Sequence, residues 1–105
     1  MDYLPGLYRD FKTQFTEVNK AYDELATKCH DWGSLDQKTR HLIKLGIAIG
    51  LNSQGGMRSH ARQALEMGVT ADEIRHTVLQ SLTTTGFPQM IAAMKWANEV
   101  ITKHN

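Results

Sequence analysis

The chain has one cysteine in 105 residues, so Cys29 has no partner for an internal disulfide and says little about redox compartment. No run of eighteen apolar residues occurs, which excludes a helical membrane span of ordinary length. Neither sign of charge dominates: the formal net charge is +1, which gives no electrostatic reason to expect nucleic acid or an anionic membrane as partner. The opening Met-Asp-Tyr-Leu-Pro lacks a basic stretch followed by an apolar one, so no secretory signal is expected and cytoplasm is the default. What is present is ordinary globular material, 41% hydrophobic and 22% charged. At this length one domain is expected, with roughly two-thirds of the unfolded surface buried.

Apolar spacing is helical nearly throughout, and no segment reads as a strand. Leu4, Leu7 and Phe11 suggest a short leading helix, with Pro5 suited to its first turn. Phe15, Val18, Tyr22, Leu25, Cys29 and Trp32 advance by threes and fours along one face, and Gly33 supplies a stop. Ser34-Leu35-Asp36-Gln37 reads as a capping box opening a third helix. Its second half is apolar almost all round, which predicts the central, most buried helix, broken by Gly50, Asn52, Gly55 and Gly56. A fourth helix aligns Met57, His60, Ala61, Ala64 and Leu65 and ends at Gly68. Thr70-Ala71-Asp72-Glu73 is a second capping box, before a fifth helix with Ala71, Ile74, Val78 and Leu82 inward. A sixth follows Gly86-Phe87-Pro88.

The sixth helix carries two apolar stripes, Phe87, Ile91, Met94, Ala97 and Ile101, and Ala93, Trp96 and Val100. One small bundle rarely buries both, so a symmetric oligomer is expected, against the alternative that Trp96 packs half-exposed on its own chain. The expected fold is all-α: a single-domain bundle of about six helices, residues 1–33 forming the leading helices and residues 34–105 the core, assembled as a homo-oligomer.

Among residues able to do chemistry, His60 leads, because its spacing to Met57 and Ala64 turns an imidazole inward. The plainer alternative is a core histidine satisfied by a backbone carbonyl or a nearby carboxylate. His41 and Lys44 share a side of the third helix, with a solvated stripe beside Arg40 as the alternative. His76 reads as surface, and His30 and His104 suit helix C-termini. No two histidines are four apart and no carboxylate joins them in a metal-binding pattern, so no metal is expected. Cys29 reads as a buried, inert thiol. Ser81, Thr83, Thr84 and Thr85 either line a pocket or bond back to preceding carbonyls. Gly55-Gly56 either holds an anion or simply starts a helix.

From Leu35 to about Ala93 the chain resembles the carboxymuconolactone decarboxylase family, which includes alkylhydroperoxidase D. The resemblance rests on Leu35-Asp36-x-Lys38-Thr39-Arg40, the apolar helix, and His60-Ala61-Arg62-x-Ala64-Leu65. It continues through Gly68-x-Thr70-x-x-Glu73-Ile74 and Gly86-Phe87-Pro88. It implies an all-helical fold assembling into trimers or hexamers. The peroxidase branch uses Cys-x-x-Cys-x-x-x-His with a glutamate on the preceding helix. Those positions hold Ser53, Gly56, His60 and His41, so the thiolate and the resolving thiol are both missing and dithiol peroxidase activity is expected to be absent. The decarboxylase branch keeps a histidine resembling His60. What the resemblance implies is acid–base chemistry of lyase type on a lactone or keto carboxylic acid, without cofactor. The motif does not dictate the roles; the assignment expected here is His60 as the catalytic residue and Ser53, Arg58, Arg62 and His41 as substrate contacts, with Arg40 as a further holder of negative charge. Arg58 and Arg62 point away from the His60 stripe, so they are expected to act across a subunit boundary. The alternative is a non-catalytic, ligand-binding helical oligomer that keeps the fold.

Overall fold

The computed structural model describes residues 3–104, with side chains from residue 6 onward. Leu4 and the Pro5 ring, expected to shape the leading helix, fall outside the described side chains. Every regular element among the described residues is helical: α1 (Tyr3–Gln14), α2 (Thr16–Asp31), α3 (Gln37–Gly50), α4 (Gln54–Glu66), α5 (Ala71–Gln80), a 3-10 turn (Ser81–Thr83) and α6 (Phe87–His104). The chain divides into two compact units at Ser34 and Leu35.

In the first unit, α1 and α2 are separated by Phe15 alone, which leaves the helical region at φ −121° and ψ 56°. Helical hydrogen bonding continues on both sides, Phe15 N–H to the Phe11 carbonyl and Asn19 N–H to the Phe15 carbonyl. The Phe11 and Phe15 rings pack at 5.4 Å between centroids. The apolar stripe of α2 is present as spacing predicts, yet α2 buries none of its residues and Trp32 is 89% exposed. Cys29 is exposed, which corrects the expected buried thiol. Two consecutive helices joined by one residue supply no third element to close over that face.

The second unit contains the core: Leu45, Ile49, Ile74 and Val78 are its largest fully buried side chains. Its first helix, α3, is capped by Asp36, whose side chain accepts the Thr39 N–H at 2.8 Å. That bond holds the Asp36 carboxyl below its ordinary range. Ser34 and Asp36 are both good cap residues, and the chain uses the second, so the cap lies two residues later than the capping-box reading placed it.

The α3 C-terminus closes on Asn52 at φ +55°. Asn52 N–H reaches the Ile49 carbonyl and Ser53 N–H the Ala48 carbonyl, both at 2.9 Å, which is a Schellman closure with asparagine in the left-handed position. Ser53 then caps α4, its Oγ accepting the Gly56 N–H at 3.2 Å. One residue thus seals the end of one helix and the start of the next. Gly55 and Gly56 belong to the first turn of α4 rather than to a break. From α6, Gln89 Nε2 donates to the Ile49 carbonyl at 2.6 Å and adds a side-chain cap to α3.

At the other end of α4, Gly68 takes φ +89°. Val69 N–H bonds the Ala64 carbonyl and Gly68 N–H the Leu65 carbonyl, both at 3.0 Å, repeating the same closure. Thr70 and Glu73 form the expected capping box of α5.

Burial is distributed differently from the expectation for α3. It buries His41, Leu45, Ala48 and Ile49, while Ile43, Ile47 and Leu51 on its other side are exposed. An all-round apolar composition does not say how many neighbours a helix has, and α3 has its main partner in α4. The central element is α6, packed against α3, α4, α5 and the 3-10 turn. It buries Met90, Ala93, Ala97, Val100 and Ile101, with Met94 and Trp96 partly covered. Residues from both of its stripes are therefore covered within the chain. Only Phe87 and Ile91, near its start, remain as exposed large apolar residues.

Candidate active site

The three-residue turn Leu51–Ser53 sends α4 back along α3, and a Cβ built on Gly56 would lie 3.2 Å from the Ala48 Cβ. One turn further along each helix, this register brings His60 opposite Lys44. His41 lies one turn of α3 beyond Lys44. Met57, Ala61 and Ala64 on the same side of α4 are buried, which points the imidazole toward the seam as the spacing predicts.

His60 is half-buried, and its Nδ1 is a buried atom that no hydrogen bond reaches among the described residues. Its pKa is lowered first by burial, then by the charges of Lys44 and His41. The sign follows directly, since loss of solvent and neighbouring positive charge both penalise the imidazolium. The ring is therefore mainly neutral at pH 7. His60 should titrate below 6.5 when followed by NMR, and Lys44→Gln or His41→Gln should move its midpoint upward. Because the folded chain binds this proton less readily than the unfolded one, the same group costs stability as pH falls below 6.5.

His41 is 7% exposed, so the reading of it as part of a solvated stripe is overturned. Lys44 is half-buried. Arg58 Nη2 donates to Glu99 Oε2 on α6 at 2.6 Å, and Glu99 is held below the ordinary carboxylate range mainly by that bond. Its charge is thus already met within the chain. Arg62 stands exposed on α4. Arg40 Nε donates to the Leu35 carbonyl at 2.6 Å and braces the start of α3.

Ser53 lies two turns before His60, roughly 10 Å along the helix axis, with its Oγ engaged as the α4 cap. A Cβ at Gly56 would come within 2.8 Å of that Oγ. The two positions that hold cysteines in the peroxidase branch do converge, but neither offers sulfur. The hydroxyl cluster resolves toward local bonding. Ser81 Oγ donates to the Val78 carbonyl, Thr84 Oγ1 to the Gln80 carbonyl and Thr85 Oγ1 to the Ser81 carbonyl. His76 and His104 are exposed.

Sequence reasoning passed over Lys44 as a site residue. The usable signal was the short turn at Leu51–Ser53, which fixes what faces His60 once the hairpin register is counted.

A family model described as the carboxymuconolactone decarboxylase family matches residues 16–99. Nitrosuccinic acid decarboxylase npaB of Metarhizium robertsii is 37% identical over 112 aligned positions, covering 97% of this chain and 75% of the relative. The 4-carboxymuconolactone decarboxylase of Acinetobacter baylyi is 33% identical over 66 positions, covering 63% of this chain and 49% of that one. In fold, the chain is similar to the apo crystal structure of lpg0406 from Legionella pneumophila, a protein of the same family. The TM-score is 0.83, at 20% identity over 95% of this chain and 88% of that one.

Proposed function

The chain belongs to the carboxymuconolactone decarboxylase family, and from that premise we propose that it decarboxylates a small carboxylic acid, with His60 supplying the proton. The observation that carries this is the state of the imidazole. Nδ1 of His60 accepts no hydrogen bond among the described residues, as is also true of Nδ1 of His41, but His60 is only half-buried at the seam where His41 is 7% exposed. That favours an enzyme over a binding module that merely keeps the fold.

The chemistry asked of the site is modest. The bond from the substrate carbon to its carboxylate breaks, and CO2 departs. The electron pair moves onto a neighbouring acceptor such as a lactone or ketone carbonyl. The carbanionic carbon then takes a proton from the protonated imidazole of His60. Both named relatives are called decarboxylases of carboxylic acids, which supports an acid activated by an electron-withdrawing neighbour. Ser53 and Gly56 bring no thiol to the seam, so this reading includes no dithiol peroxidase activity. Arg62, exposed on α4 and about 200° round that helix from His60, would meet a ligand at the imidazole of a neighbouring subunit rather than at its own. A homo-oligomer, trimer or hexamer, is part of the proposal. The exposed ridge of Ile43, Ile47 and Leu51 on α3 supports it, since such apolar stripes are uncommon on monomers.

The test is CO2 release from a panel of lactone, keto and nitro acids carrying the acceptor β to the departing carboxylate. At least one member should lose CO2 faster with the protein than without it. No acceleration across the panel removes the enzymatic reading.

A further inference from the structure

The α3–α4 hairpin is the most basic part of the second unit. Between Gln37 and Glu66 it carries Lys38, Arg40, Lys44, Arg58 and Arg62 against the single acid Glu66. A nearly neutral chain therefore concentrates positive charge on the two helices that meet at His60. Of those cations, Lys44 is the one whose position along the hairpin brings it opposite the imidazole.

Decarboxylation says where a cation is useful. Placed on the carboxylate that leaves, it would stabilise the ground state, whose charge fades as CO2 forms, and so slow the reaction. Placed on the acceptor oxygens, it meets charge that grows toward the transition state. The carbon that His60 protonates is bonded to that acceptor, so the acceptor must lie beside the imidazole. Lys44 occupies that side of the seam, with the buried His41 behind it.

Resting on the decarboxylase reading, we infer that Lys44 is a substrate-binding residue: it holds the acceptor oxygens that become negative as CO2 leaves, beside His60. Neither a hydrophobic nor a neutral polar residue at 44 would supply this, whereas arginine would in part.

Succinate serves as the probe, its second carboxylate standing in for the charged acceptor, with butyrate as the monoanionic control. Both are titrated calorimetrically into the full chain, wild type and variants. Wild type should bind succinate more tightly than butyrate, and Lys44→Gln should weaken succinate by about tenfold, the scale of one charge-assisted hydrogen bond. Butyrate should change far less, and Lys44→Arg should restore most of the difference. Thermal melts of both variants near that of wild type exclude a folding defect at this half-buried position. Equal weakening of both acids, an unchanged succinate affinity in Lys44→Gln, or no preference for succinate in wild type would each overturn the assignment. Binding is measured without turnover, so the seat can stand while the decarboxylase reading fails. Conversely, CO2 release that needs His60 but ignores Lys44 would retire the seat alone.

Discussion

His60→Gln is expected to lower CO2 release by about 10²–10⁴-fold, the usual share of a positioned proton donor, while leaving the melting profile close to that of wild type. Glutamine keeps a polar side chain of similar reach, so the half-buried seam between α3 and α4 is neither emptied nor given a new charge. What it cannot do is carry a proton at neutral pH. Turnover within about threefold of wild type would remove the imidazole from the reaction, since general acid–base roles are worth far more than that.

The same variant fixes a pH dependence whose sign can be worked out beforehand. Burial and the charges of Lys44 and His41 hold His60 mainly neutral at pH 7. The proton-donating form is then the minor one, and its share rises as pH falls toward the lowered pKa. The ratio kcat/KM, which reports groups of the unoccupied enzyme, should increase from pH 8 down through 6.5. It should fall again only where the substrate carboxylate itself protonates. Lys44→Gln shifts the upper limb to higher pH by removing the ammonium charge beside the ring, and His60→Gln abolishes that limb. A rate that rises with pH across this range would instead make His60 a base.

Much of this geometry is legible in the sequence, for reasons particular residues make clear. Thr70 and Glu73 form their capping box because both partners are local and nothing competes with them. Gly68 ends α4 because only a residue tolerant of positive φ closes that motif without strain. Met57, Ala61 and Ala64 orient His60 because helical spacing alone decides which residues share a side. The failures concern packing partners. Ser34 and Asp36 are equivalent caps on paper, and the fold chooses between them. The composition of α3 matches a central helix, yet its neighbours cover only one side of it, and the two stripes of α6 are both met because α6 lies among three helices. A stripe such as that of α2 says nothing about whether a cover exists, which is why Cys29 is exposed where its spacing predicts a buried thiol. Lys44 was hidden because pairing across a hairpin depends on turn length as well as on periodicity.

Leu45→Ala should be among the most damaging single truncations available in the second unit. The side chain is 1% exposed and is, with Ile49, Ile74 and Val78, among the largest fully buried side chains of the core. Ala48, Ala61, Ala64, Ala93 and Ala97 let the helices approach closely, so the larger side chains supply most of the apolar area and a hole has little to collapse into it. Truncating a buried leucine costs about 2–5 kcal/mol, against a total of about 5–15 kcal/mol for a domain. In a unit of this size that corresponds to a melting point lower by roughly 10–30 °C. Leu45→Met, which nearly conserves volume, should cost under about 1.5 kcal/mol. The contrast matters for the site because Leu45 adjoins Lys44 and lies one turn after His41. Loss of activity in Leu45→Ala should track the unfolded fraction and vanish on cooling below its melt, whereas the loss in His60→Gln persists at every temperature. Denaturant titration of both leucine variants decides the matter, and equal midpoints for the two would mean that Leu45 is not packed as the structure has it.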